Sequence, residues 1–193
     1  MLKNIFYKNI NEHSKILSKD KIKISKKGFI LKDYIINCYN NGGKLIIFGN
    51  GGSAADAQHF STELTVRLKK NRKALAAISL STDTSAITAI GNDFNFKKIF
   101  SRQIEALCND NDLIIPISTS GNSQNIIEAL KYAKYRKIKT FGILGNNGGK
   151  AKNFCSESFI VSSKNPSRIQ EIHVIFWQSV CELIENIYVG NKK

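Results

Sequence analysis

At 193 residues, 42% of them hydrophobic and only two proline, the chain is long enough for one domain with a sizeable core and too apolar to stay disordered. Lys and Arg total 29 against 15 Asp and Glu, a net charge of +14 that a nucleic acid, a membrane surface or an anionic substrate could each answer. The basic residues run from Lys3 to Lys193 without any nucleic-acid-binding signature, and no apolar run approaches membrane-spanning length, so nucleic acid ranks low as a partner and no membrane span is expected.

Cys38, Cys108, Cys155 and Cys181 lack C-x-x-C spacing, and the charged N-terminus does not resemble a signal peptide. Both features predict free thiols in a cytoplasmic protein.

In chain order, apolar positions at helical spacing predict one amphipathic helix over 4–18 and a second over 27–40, stopped by Asn41, Gly42 and Gly43. The stretch 44–67 then reads as strand (KLIIF), glycine-rich turn (GNGGS) and helix (ADAQHFSTELTVR), with Ser53 as the helix N-cap. Such a turn suits an anion, most plausibly phosphate, or is simply a tight structural turn. His59 and Glu63 are four residues apart and share a helix face, with Arg67 continuing the row. They could form an acid/base pair, two metal ligands or a solvated polar stripe.

A second apolar run (74–80) leads through STDTSA into a helix. GNDFNF (91–96) interrupts it as a bend, where Asn92 and Asp93 either reach a ligand or only turn the chain, and a helical pattern resumes through Cys108. The run 112–118 is a third strand, and Pro116 inside it suggests an end or edge position. It passes directly into STSGNS and a clear helix, a second strand–turn–helix unit with the hydroxyls of Ser118, Thr119, Ser120 and Ser123 around Gly121. Hydroxyls beside helix N-terminal amides make an uncharged phosphate cup, and without a lysine after the glycine it is no nucleotide P-loop. Strands over 140–145 and 158–163 follow, then a helix over 166–188 that begins with Pro166 and is apolar around much of its circumference. Alternating strands and helices predict one α/β domain over 1–193: N-terminal helices in 1–43, then a parallel-sheet core over 44–189 with both polar turns at the carboxyl ends of strands.

The motifs GNGGSAADAQHFSTELTVR, GNDFNFKKIFSRQIEAL, ISTSGNSQNIIEAL and RIQEIH, in that order and spacing, resemble the phosphoheptose isomerases of the SIS (sugar isomerase) domain family over nearly the whole chain. The resemblance implies a flavodoxin-like parallel sheet flanked by helices, assembled as a homotetramer with sites at subunit interfaces. It implies interconversion of sedoheptulose 7-phosphate and D-glycero-D-manno-heptose 7-phosphate for the heptose of lipopolysaccharide, capsule or glycoprotein. Ser118, Thr119, Ser120 and Ser123 match the family's phosphate cup; Asn50, Gly51, Gly52 and Ser53, with Asn92 and Asp93, match its substrate-binding residues. Glu63 matches the catalytic carboxylate, and Arg67 and Gln170 further active-site positions. Some members hold zinc with residues matching His59, Glu63 and Gln170 plus a histidine of the last helix. That last position is Gln178 here, which can ligate or hydrogen-bond but cannot exchange a proton near neutral pH.

Three readings follow from the sequence. The chain is an isomerase with Glu63 as base and Gln178 orienting the sugar, a non-catalytic SIS protein that binds a sugar phosphate or, like some relatives, a replication initiator, or a basic nucleic-acid-associated scaffold. Retention of Glu63, Arg67, Gln170 and both polar turns favours the first.

Overall fold

A computed structural model describes residues 4–190. Its elements are α1 (Asn4–Asn40), β1 (Leu45–Gly49), α2 (Gly52–Thr65), β2 (Ala77–Ser79), α3 (Thr84–Asp93), α4 (Ile99–Leu107), β3 (Leu113–Ser118), α5 (Gln124–Tyr135), β4 (Lys139–Leu144), β5 (Glu157–Ile160) and α6 (Pro166–Gly190). Short 3-10 turns at Phe96–Lys98 and Ala151–Phe154 precede α4 and β5.

The strands form one parallel sheet in the order β2-β1-β3-β4-β5, the flavodoxin-like order the family resemblance implied. Every residue of β1 and β3 is buried, as expected of strands covered on both faces, which is why they read as continuous apolar runs. On one face Leu45, Ile47, Ile115 and Phe141 pack under α1, α2 and α6; on the other Ile46, Phe48 and Ile114 pack under α4 and α5. Phe159 and Phe176 stack at 4.2 Å between β5 and α6.

Two expectations are corrected. The two N-terminal helices are one, α1, because the stretch between them contains no glycine or proline to stop it. Ile24 in that stretch packs on the core, and the buried Asp20 carboxylate accepts the Ser162 amide at 2.8 Å and pairs with Lys23 at 3.0 Å. At 37 residues α1 is roughly 55 Å long, and its first turns leave Ile5, Phe6, Tyr7 and Ile10 exposed.

Pro116, expected at a sheet edge or strand end, lies in the central strand β3 opposite Phe48 of β1. Its missing N–H is tolerated because the β3–β4 ladder skips Ile115 and Pro116, resuming at Ile117 opposite Ile143.

His173 of α6 is fully buried, with no side-chain hydrogen-bond partner among the described residues, and burial, partly opposed by the Leu144 backbone, pushes its pKa down from 6.5 to about 4. The unfolded chain therefore binds a proton below about pH 6.5 that the folded chain refuses until about pH 4. Stability is full above this window and falls as the pH drops through it, by roughly 3 kcal/mol in all. Replacing His173 by Gln flattens that part of the curve, which urea unfolding between pH 4 and 7 will measure.

Candidate active site

The two polar turns follow β1 and β3, adjacent strands in the middle of the sheet, so both open at its carboxyl edge where the strand order reverses. The first differs from expectation at its cap. Ser53 is buried within the first turn of α2, and the cap position belongs to Gly51, whose φ of 54° suits glycine and whose lack of a side chain leaves no cap bond. The amides of Ser53 and Ala54 already donate to the carbonyls of Asn50 and Gly51 at 3.0 Å, so this turn offers an anion fewer free donors than the sequence suggested.

The second turn is organised by its own hydroxyls. Ser118 Oγ accepts from the Gly121 amide at 3.0 Å and Ser120 Oγ from the Asn122 amide at 3.2 Å. Thr119 stands between them, half-buried. Ser123 occupies the N-cap of α5 with no side-chain cap bond, and the amides of Gln124 and Asn125 have no acceptor among the described residues. Hydroxyl and free amides at the positive end of a helix dipole make this turn the better candidate for holding a phosphate.

Asn125, which the sequence reading passed over, locks the two turns together. Its amide exchanges two hydrogen bonds with Asn50, at 2.8 and 2.9 Å, and it is buried. The Asn50 side chain is therefore committed to the scaffold. Only the position of Asn125, two residues inside a helix after a polar turn, could have hinted at this.

From the turns, α2 and α6 run side by side in the same direction. A Cβ on Gly52 would come within 2.3 Å of Gln170 Nε2, while farther along both helices the His59 ring meets Trp177 edge-on at 4.9 Å and Phe60 stacks on it at 5.4 Å. This brings Gly52, His59, Glu63 and Gln170 onto one seam, with the half-buried Gln178 next after Trp177. His59 Nε2 and Glu63 Oε1 are 2.8 Å apart, the imidazole half-exposed and the carboxylate largely covered. Asp56 lies one turn before His59. Burial, opposed by the nearby His59, pushes its carboxyl up to about 6, and Oδ2 is buried without a partner among the described residues.

Three predicted residues stand apart. Arg67 does not continue the helical row, since α2 ends at Thr65 and Arg67 is exposed in the loop beyond it. Asn92 and Asp93 lie in no bend at Gly91; they are the exposed C-terminal residues of α3, where Asn92 Nδ2 donates to Asp93 Oδ1 at 2.9 Å.

Zinc is poorly served by this seam. Among the described residues no group of three or more His, Cys, Asp or Glu side chains could hold a metal ion. The family resemblance would add Gln170 and Gln178, two neutral carboxamides, to His59 and Glu63, whereas zinc sites are built mostly from imidazole, thiolate and carboxylate. The residues present fall short of that donor set.

The SIS domain model matches residues 6–145. A phosphoheptose isomerase of Campylobacter jejuni is 48% identical over 184 residues, covering 94% of this chain and 97% of the relative. One from Helicobacter pylori is 44% identical over 190 residues, covering 98% and 99%. The solved structure of phosphoheptose isomerase from Neisseria gonorrhoeae superposes with a TM-score of 0.90 at 36% identity, covering 96% of this chain and 100% of that one. With a five-stranded parallel sheet in the flavodoxin-like order, both polar turns at its carboxyl edge and these relatives along nearly its full length, the chain belongs to the SIS domain family and, within it, to the phosphoheptose isomerases.

Proposed function

We propose that this protein is a sedoheptulose 7-phosphate isomerase, forming D-glycero-D-manno-heptose 7-phosphate for heptose biosynthesis. The observation that carries the reading is the His59–Glu63 pair, held at 2.8 Å on α2 beyond the turn joined to the phosphate cup. A sugar phosphate anchored at Thr119, Ser120 and Ser123 extends along the α2–α6 seam, past Gly52 and Gln170, and brings C1 and C2 to Glu63. Aldose–ketose isomerisation transfers a proton between these carbons through an enediol. Glu63 takes the proton from one carbon and returns it to the other, while the hydroxyl proton passes between the two sugar oxygens; His59 fixes the Glu63 carboxylate. Gln170 and Gln178 donate amide N–H bonds to the sugar oxygens, stabilising the charge that builds there.

The assembly we propose is a homotetramer in the cytoplasm. Its support is that Asn92 and Asp93, which the family resemblance assigns to substrate binding, are exposed and have no bond to either turn, so a neighbouring subunit's site is the one they can reach, and that α1 leaves large apolar side chains uncovered. Gln178 favours one competing reading, a SIS protein that binds the sugar phosphate without turning it over.

Incubating metal-defined protein with sedoheptulose 7-phosphate and following the aldose by NMR separates the two. Turnover is expected; binding without turnover, with and without added zinc, overturns the isomerase. A companion variant tests the donor set. Gln178→His places a second imidazole on α6, next after the Trp177 that His59 meets, and should retain zinc through dialysis, while the native chain does not. Stoichiometric zinc in the native chain by elemental analysis would show that two carboxamides suffice.

A further inference from the structure

The loop that joins α2 to β2 is held by a carboxylate on α6. Glu185 is 2% exposed and accepts three successive amides: Leu68 at 2.9 Å, Lys69 at 2.9 and 3.2 Å, and Lys70 at 3.0 Å. Burial alone would raise its pKa; these amides and Arg72 outweigh that and hold the carboxyl below its ordinary value. Arg72, equally buried, lies with Nε 4.0 Å from Glu185 Oε1. Its guanidinium then turns back to the end of α2, donating to the carbonyls of Glu63 at 2.6 Å and Leu64 at 2.8 Å. Carbonyls in the last turn of a helix have no partner within it, so Arg72 fixes the turn that carries Glu63. Arg67, which the family resemblance gives an active-site position although it lies exposed beyond α2, sits immediately before the anchored amides.

We infer that Glu185 is a positioning residue for the isomerase site: through Arg72 it fixes the backbone of Glu63, and through the amides of 68–70 it fixes that of Arg67. It does so from α6, the helix that also carries Gln170 and Gln178, so one carboxylate sets the spacing of the seam. Nothing in the sequence marks it, since Glu185 lies in a helical run where an acidic residue reads as solvated surface. The inference rests on the function proposed above.

The test is a cycle of Glu185→Gln, Arg67→Gln and the double variant, with kcat and KM for sedoheptulose 7-phosphate measured alongside urea midpoints. Glu185→Gln keeps the shape but turns one acceptor into an N–H donor facing the amides. We expect kcat/KM to fall by about tenfold or more, since small misplacements of catalytic groups carry losses of that order. Adding Arg67→Gln to Glu185→Gln should then have less effect than Arg67→Gln alone, because the arginine has already lost its place. Glu185→Asp, which keeps the charge, should recover part of the rate. If Glu185→Gln proves too unstable to assay, Glu185→Asp paired with Arg67→Gln completes the same cycle. Fully additive penalties, or native kinetics in a folded Glu185→Gln protein, would overturn the positioning role. A native chain that fails to turn over the substrate would instead overturn the proposed function itself.

Discussion

Glu63→Gln should abolish turnover, lowering kcat by on the order of a thousandfold, while sedoheptulose 7-phosphate still binds with an affinity within a few-fold of native. The amide has the shape of the carboxylate and still reaches His59 Nε2, now 2.8 Å from Glu63 Oε1, so the seam between α2 and α6 stays intact. What is lost is the ability to take a proton from carbon. The phosphate cup lies on another element, at the turn between β3 and α5, so ground-state binding is largely untouched. Single-turnover NMR for the rate and calorimetry for the affinity separate the two quantities. Native kcat in this variant removes Glu63 as the base, and loss of both rate and binding makes it a ligand for the substrate rather than a proton carrier.

Gly121→Ala is the second large effect. With φ at +64°, an alanine there enters a backbone region costing about 1–2 kcal/mol. Its Cβ would also stand 2.1 Å from the Gly148 carbonyl oxygen. That carbonyl cannot easily retreat. Ala151 donates to Gly121 O at 2.9 Å and Lys150 to Asn122 Oδ1 at 3.0 Å, and a Cβ on Gly149 would in turn strike Gly121 at 2.5 Å. The turns after β3 and β4 are interlocked backbone against backbone, and overpacking of this kind adds roughly 1–3 kcal/mol. A loss of about 2–5 kcal/mol in urea unfolding and a more than tenfold rise in KM are expected, because the cup hydroxyls ride on this turn. Gly51→Ala is the control: its φ is +54°, but nothing lies within 4 Å of the added carbon, so strain without collision should cost far less stability. Equal losses in the two variants would mean that the interlock contributes nothing.

The parallel α/β core and both polar turns were legible because their signals are local: apolar runs, glycine-marked turns, and helices with clean periodicity. The continuity of α1 was hidden because its middle is lysine-rich, and only the tertiary partner Ser162 shows why Asp20 is buried there. Pro116 misled because a missing N–H argues for an edge only if the ladder is continuous, and the skip in β3–β4 pairing is set by the neighbouring strand. At the site, His59 and Glu63 share a helix face and could be paired from spacing alone. Asn125, Asp56 and Glu185 act through partners distant in sequence or through burial, and neither leaves a local pattern. Arg67 was misplaced because the helix stops two residues sooner than its propensities suggest, where Arg72 and Glu185 take the chain into a loop.

The parallel direction of α2 and α6 has an electrostatic consequence. Both helices, and α5 after the second turn, begin at the same edge of the sheet, so three sets of helix N-terminal peptide dipoles face one region. The attraction for a dianionic phosphate is thus written into backbone orientation, at a range too short for salt to screen well. The net charge of +14, spread along the whole chain, adds only a longer-range attraction, which salt screens.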